Sequence, residues 1–278
     1  MIPDRTRLAL LVILALLAFA GNSLLTRAAL AGGGIGPESF AAIRLGAGGA
    51  TLLAIGLGRR LVVMPGARDL PGIAALFVYA ATFSRAYVGL GAATGALILF
   101  STVQITVIAG GMIGGARITV VQSMGVAVAL GGLAWLLAPG LAAPPLGAFA
   151  LMAAAGIAWG VYTLLGRGSD APVARTARNF IGTLPLAMAL AAIGGVGGSP
   201  MAIMLAIAAG AITSALGYVL WYSVLPHLSA ITAASLQLTV PVITALGSVI
   251  WLHEPLTGAL AGASLLILSG IALTLRRS

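Results

Sequence analysis

Residues 92–113, AATGALILFSTVQITVIAGGMI, form an apolar run of bilayer length without one acidic or basic side chain. Residues 229–250, SAITAASLQLTVPVITALGSVI, repeat that run 137 positions later. A segment this long and uncharged takes the bilayer as its solvent and satisfies its backbone internally, as a helix. The alternating polarity of a membrane β-strand is missing, and the run is about twice a strand's length. Ala93, Ala96, Leu99, Thr102, Val103, Gly110 and Ile113 of the first copy recur as Ala230, Ala233, Leu236, Thr239, Val240, Gly247 and Ile250, and Gly125 extends the match to Gly262.

Further apolar runs lie on either side. Taken together, the expected spans are 8–31, 39–57, 71–90, 92–113, 118–138, 146–166, 174–194, 201–222, 229–251 and 257–275. Turn signals separate them at Gly32 to Gly36, at Pro139, Pro144 and Pro145, and at Gly194 to Pro200. The longest connection, 58–69, carries Arg59, Arg60 and Arg68 and is too short for a domain. At the amino terminus, Ala18-Phe19-Ala20 mimics a signal-peptide cleavage site. The apolar run continues through Leu24, Leu25, Ala28 and Leu30, however, so the first span is expected to be retained.

The other spans extend the repeat. Gly21 corresponds to Gly160, and Phe83 and Tyr87 correspond to Tyr218 and Tyr222. Five spans per copy is an odd number, which forces the second copy to insert upside down. The expectation is an all-α integral membrane protein of ten transmembrane helices in two inverted five-helix repeats, residues 1–140 and 141–278. Arginine placement agrees. Arg5, Arg7, Arg59, Arg60, Arg68, Arg117, Arg167, Arg175, Arg178, Arg276 and Arg277 fall on one face, with only Arg27 and Arg44 near the other. Basic residues are retained inside during insertion, so both termini are expected to be cytoplasmic in a multi-pass protein of the inner or plasma membrane. Arg117 after the fourth span is matched by Glu254 after the ninth, the reversal that opposite insertion predicts.

Composition narrows the chemistry. Hydrophobic residues make up 60% of the 278 positions and charged residues 7%, against about a quarter for an ordinary globular protein. The formal charge of +9 comes from arginine alone, spaced singly or in pairs rather than in phosphate-tracking stripes, so nucleic acid is not an expected partner. There is no cysteine, and only two histidines and five carboxylates are present. That scarcity argues against a hydrolase or metalloenzyme, and neither cofactor nor metal is expected. Zinc-binding His-Glu-x-x-His, paired intramembrane aspartates and a nucleotide-binding loop are all missing.

Polar groups and helix breakers at membrane depth outline a lumen, because hydrocarbon tolerates them only against protein or water. Asn22 with Gly21, Gly160, Gln104 and Pro241 sit near mid-span, and Gln104 and Pro241 are repeat-equivalent. Pro241 should kink the ninth span and free a carbonyl, which makes Gly21, Gly160 and Pro241 candidate hinges. Tyr79, Phe83 and Tyr87 recur on one face of the third span, as Ser214, Tyr218 and Tyr222 do on the eighth. Tyr79, Phe83 and Tyr218 are assigned to a cavity wall, and Tyr87 and Tyr222, near span ends, to an interfacial belt. Trp159 and Thr163 share a face and could close the site; Gln237 and Ser235 could bond substrate or join helices. Arg85 is read as the one charge well inside a span, either holding a substrate carboxylate or snorkelling to water. Glu254 and His253 are assigned to a turn.

A ten-span chain in two halves, with Pro37 and Arg44 opening the second span and Leu252-His253-Glu254-Pro255 joining the last two, resembles the drug/metabolite transporter superfamily and, within it, the EamA branch. It departs from that pattern at Arg117, where a glutamate is frequent, and at Ala20-Gly21, where tryptophan-glycine is frequent and survives as Trp159-Gly160. The resemblance implies an exporter, with amino-acid exporters of the YddG kind, which handle aromatic substrates, the nearest likeness. Alternating access through a central cavity is expected, helped by the close packing that thirty-nine glycines allow. No Asp, Glu or His is expected at membrane depth, so transport is expected to be uncoupled. Efflux of lipophilic cations or drugs stays open as an alternative, with an intramembrane enzyme or a channel behind it. Expected partners are a small-molecule substrate and the lipid bilayer, the protein being a monomer or homodimer.

Overall fold

A computed structural model describes residues 5–114, 119–137, 143–166, 169, 171–228, 233 and 236–275. Arg117, Arg167, Arg276, Arg277 and Ser235 lie outside the described residues. The chain is helical throughout: α1 (Arg5–Leu30), α2 (Pro37–Gly58), α3 (Leu70–Gly89), α4 (Ala92–Ile113), α5 (Val120–Leu136), α6 (Leu146–Gly166), α7 (Pro172–Gly194), α8 (Pro200–His227), α9 (Thr239–Trp251) and α10 (Gly258–Thr274). Among the described residues seven of these are long and apolar enough to cross a membrane, and α5, α9 and α10 are shorter apolar helices. No β-strand occurs among the described residues; one isolated bridge joins Ile35 to Gly198.

The helix ends follow local chemistry. Pro37, Pro172 and Pro200 occupy first-turn positions, where the missing N–H is not needed. Thr119, Ser199 and Thr257 accept from the amides of Gln122, Ala202 and Leu260 and so cap α5, α8 and α10. Hydroxyls inside the helices mostly donate to the carbonyl one turn back, as in Thr26, Ser84, Ser101, Thr102, Thr106 and Thr163. They therefore enter an apolar interior without orphaned polar atoms.

Three helices are irregular, two of them at prolines. α7 breaks at Thr183, two residues before Pro185, whose ring cannot donate to the preceding turn. α8 widens into a π-helical stretch over Ala209–Leu216. Upstream of α9, residues 236 and 237 are helical but Leu238 is a turn. The interruption falls in the turn before Pro241, where the proline leaves the Gln237 carbonyl without a partner amide.

Packing runs across the halves of the chain. α3 and α4 pack on α6, while α8 and α9 pack on α1; α2 lies against α7 and α8, α4 against α9, and α5 against α10. The α5–α10 seam closes on bare backbone. A Cβ on Gly125 would lie 2.5 Å from the Gly270 carbonyl oxygen, and one on Gly270 would lie 2.6 Å from the Ala129 amide nitrogen. Leu10, Ile13, Leu14 and Leu17 of α1, Val120 and Met124 of α5 and Leu265 of α10 project outward as large exposed hydrophobics. An aqueous surface would reject such a belt, whereas a lipid surface requires one.

Ion pairs hold both faces. Where α1 begins, Arg178 Nε donates to Asp69 at 3.0 Å and joins the start of α7 to that of α3. Where α1 ends, Arg27 Nε meets Glu254 at 2.7 Å.

Candidate functional site

A cavity of about 590 Å³ lies between the halves, lined in part by Phe19, Gln104, Trp159, Thr163, Tyr218 and Gln237. It extends to Gly166, Ser169, Pro172, Leu225 and Pro226, at the ends of α6 and α8 and the start of α7. That face also holds the start of α1 and Arg59, Arg60, Arg175 and Arg178. Among the described residues no Asp, Glu, Lys or Arg lines this cavity.

Aromatic rings make the floor. Trp159 is the hub, with centroids 5.0 Å from Tyr79, 4.8 Å from Tyr218 and 5.2 Å from Tyr162, on which it stacks. Phe19 adds an edge to Trp221 at 5.7 Å. Below this floor lies a smaller void of about 20 Å³, bounded by Asn22, Ser23, Tyr79 and Thr213 and sharing Phe19, Trp159 and Tyr218 with the main cavity. It has room for a water-sized group.

The floor rests on a polar knot. Asn22 Nδ2 donates to the Tyr79 hydroxyl at 3.0 Å, and Arg44 Nη2 donates to the same oxygen at 3.1 Å. Arg44 Nε donates to Ser214 Oγ at 3.1 Å, and its guanidinium lies 5.1 Å from the Tyr79 ring centroid and 5.0 Å from that of Phe83. Only 2% of Arg44 is exposed. Gly210, in the π-helical stretch, makes this possible: it rests against the Arg44 backbone so closely that no Cβ could be accommodated. The wide turn then presents Thr213 and Ser214 inward, the use to which π-segments are often put.

Beyond the knot the far face is sealed. Phe83 meets Tyr87 edge-on at 4.7 Å, and Tyr87 is fully buried, its hydroxyl donating to the Ala92 carbonyl at 3.4 Å. Glu254 accepts the Ala92 amide at 2.7 Å, and Arg27 donates to the Tyr87 carbonyl at 3.0 Å.

Of the residues singled out from sequence, Gln104, Trp159, Thr163, Tyr218 and Gln237 line the main cavity, and Asn22 and Tyr79 line the void beneath. Phe83 packs behind Tyr79, reaching neither space. Gly160 lets α6 approach Thr106 of α4, and Gly21 leaves ordinary contact distance to Thr213.

Of the two readings of Arg85, its placement fits the one that reaches towards water: its side chain is 59% exposed and ion-paired with Glu38, which holds it at the rim. Other expectations need correction. Arg44, expected near an interface, is the buried charge instead, two turns inside α2. Tyr87, expected in an interfacial belt, is buried, because Gly95 of α4 leaves room for its ring. Tyr222 lines the cavity rather than a belt. Glu254 does lie in a turn, where His253 adopts a left-handed φ of 54°, but it also caps α4 and pairs with Arg27. Sequence reasoning missed Phe19, Arg44 and Thr213 as site residues, and named Ser214 only as part of the face that carries Tyr218. A signal for Arg44 was available, since Phe40, Arg44 and Gly48 share one face of α2 and place the charge between an aromatic and a close-packing residue.

Apolar helices, a lipid-facing belt and a wide cavity reaching the helix ends of one face define a multi-pass membrane protein of the small-molecule permease class. The chain belongs to the EamA-like transporter family, whose description residues 146–276 match. It is 49% identical over 275 residues to the uncharacterized protein PA1977 of Pseudomonas aeruginosa, covering 98% of this chain and 96% of that protein. A solved crystal structure of a protein 22% identical superposes with a TM-score of 0.69 over 98% of both chains, a likeness of fold. The family consists of transporters, not enzymes.

Proposed function

We propose that the protein is a secondary transporter of amino acids, aromatic ones included, working as an exporter by alternating access. Its ten helices form two inverted five-helix repeats, 1–140 and 141–278, with both termini cytoplasmic in the inner or plasma membrane. The observation that carries this reading is the 590 Å³ cavity, which reaches the arginine-rich face and is floored by Trp159 and Tyr218, with the Tyr79 ring packed beneath them. Flat rings suit flat substrates, and basic residues mark the inner face, so the cavity loads from the cytoplasm.

Packing supports the inverted repeat. An exchange of the two halves turns α3 on α6 into α8 on α1 and α4 on α6 into α9 on α1, and both members of each pair are present. It maps α2 on α7, α4 on α9 and α5 on α10 onto themselves, and these contacts are present too. Gly110 lies against Leu164 of α6, and its repeat-equivalent Gly247 against Leu24 of α1.

Transport is uncoupled in this reading, supported by the lining of the cavity and the void, where among the described residues no Asp, Glu or His occurs. Asn22, Gln104, Thr163 and Gln237 supply polar contacts, and Gly21, Gly160 and Pro241 allow the helices to shift.

Counterflow in proteoliposomes tests the reading. Preloaded phenylalanine should drive saturable, stereoselective uptake of labelled phenylalanine, and an imposed pH difference alone should drive no accumulation. A second reading, efflux of lipophilic cations, is favoured by the ring faces of Trp159, Trp221 and Tyr222, which can hold a cation. Counterflow by quaternary ammonium compounds with no response to amino acids would select it.

A further inference from the structure

Arg44 is a buried cation without an anion. The three carboxylates among the described residues are engaged elsewhere: Glu38 with Arg85, Asp69 with Arg178 and Glu254 with Arg27. Two guanidinium nitrogens have neutral acceptors, Ser214 and Tyr79, while Nη1 is buried and has no hydrogen-bond partner among the described residues. Burying a charge uncompensated is costly, and such residues within membrane segments mark ligand paths.

The neighbouring hydroxyl is set up the same way. A phenol oxygen accepts twice and donates once. Tyr79 already accepts from Asn22 and from Arg44, so its own O–H is left to donate, polarised by the adjacent cation. Tyr79 bounds the 20 Å³ void, and Tyr218 bounds both void and cavity. Donors and positive charge thus converge directly beneath the aromatic floor, and no acid among the described residues neutralises them.

We infer that Arg44 and the Tyr79 hydroxyl form a carboxylate-recognition site beneath the cavity floor, reached when the Trp159–Tyr218 ring contact parts. This rests on the amino-acid reading above and deepens it. The substrate's carboxylate takes the unpartnered Nη1 and the Tyr79 proton, while its apolar part stays among the rings. A guanidinium with a free donor edge and a planar carboxylate are complementary in both charge and shape. The same field repels cations, so the site selects by charge sign as well as by shape.

Three probes separate the possibilities: L-phenylalanine, 3-phenylpropionate, which keeps the carboxylate, and 2-phenylethylamine, which lacks it. In proteoliposomes the wild-type chain should move both carboxylates at least tenfold faster than the amine. Arg44→Gln and Tyr79→Phe should each remove most of that preference, with Arg44→Lys intermediate. A wild-type protein that moves the amine as fast as the carboxylates, or variants that keep the preference, would overturn the site while leaving an amino-acid permease standing. Flux of none of the three would overturn the amino-acid reading and the site with it. The wild-type comparison needs no variant to fold, and thermal stabilisation by 3-phenylpropionate but not by 2-phenylethylamine is its binding counterpart.

Discussion

Arg27 and Glu254 meet at 2.7 Å although 227 positions separate them, and their contact ties the end of α1 to the turn before α10. Through the Ala92 amide and the Tyr87 carbonyl the pair also gathers α4 and α3. Four helices converge on two side chains at the closed end of the cavity. Opening that end means breaking the pair, so Glu254→Gln should shift the population outward. A part-exposed pair contributes about 1 kcal/mol, or roughly fivefold in an equilibrium. The chain has no native cysteine, so Ala93→Cys, buried beside the pair, reports directly. Its labelling by an impermeant maleimide from the α1-end face should rise about fivefold in Glu254→Gln. Unchanged labelling would sink the latch.

The knot under the floor makes a stability prediction. Ser214 is the acceptor for Arg44 Nε, and a buried charged donor left without an acceptor costs about 1–3 kcal/mol or more. Ser214→Ala should therefore lower the melting temperature in detergent by several degrees. Ser84 is equally buried but donates only to the Ala80 carbonyl of its own helix, so Ser84→Ala should change little, about 0.5 kcal/mol at most. Equal melting temperatures for the two variants would refute the assignment.

These predictions draw on features of unequal visibility in the sequence. Bilayer-length apolar runs can form only one secondary structure in lipid, so each expected span contains a described helix, Thr239–Trp251 being the one in the ninth. The ring positions on α3, α6 and α8 followed from helical periodicity. Arg44 was assigned to the far face and Arg85 left between a substrate contact and snorkelling, because distance along a helix does not say which face looks inward. Glu38 draws Arg85 to the rim, and the close approach of Gly210 encloses Arg44; both are tertiary facts with no local signature. The π-helical stretch of α8 was equally hidden, its composition being that of any apolar helix.

Close packing at the α5–α10 seam separates two glycines of one helix. On Gly125 a Cβ meets the Gly270 carbonyl, backbone that cannot rotate away, so Gly125→Ala should cost about 1–3 kcal/mol. On Gly131 a Cβ meets nothing within 4 Å, so Gly131→Ala gains helix propensity and should stabilise by up to about 1 kcal/mol. Opposite shifts in unfolding midpoint are expected from the same chemical change. Shifts of the same sign would mean that the seam is not as tight as described.

Cavity access can be mapped by single cysteines. Thr163 and Gln237 line the cavity, whereas Leu265 of α10 projects outward as an exposed hydrophobic. Thr163→Cys and Gln237→Cys should react with an impermeant thiol reagent added at the arginine-rich face and be largely silent from the other. Leu265→Cys, facing lipid, should react from neither. A substrate that occupies the cavity should slow the first two by roughly tenfold at concentrations well above its Kd, since a site about 90% occupied leaves about a tenth free. If Thr163→Cys reacts equally from both faces, the rings of Trp159, Tyr79 and Tyr218 do not form a barrier, and a pore replaces alternating access as the description of this protein.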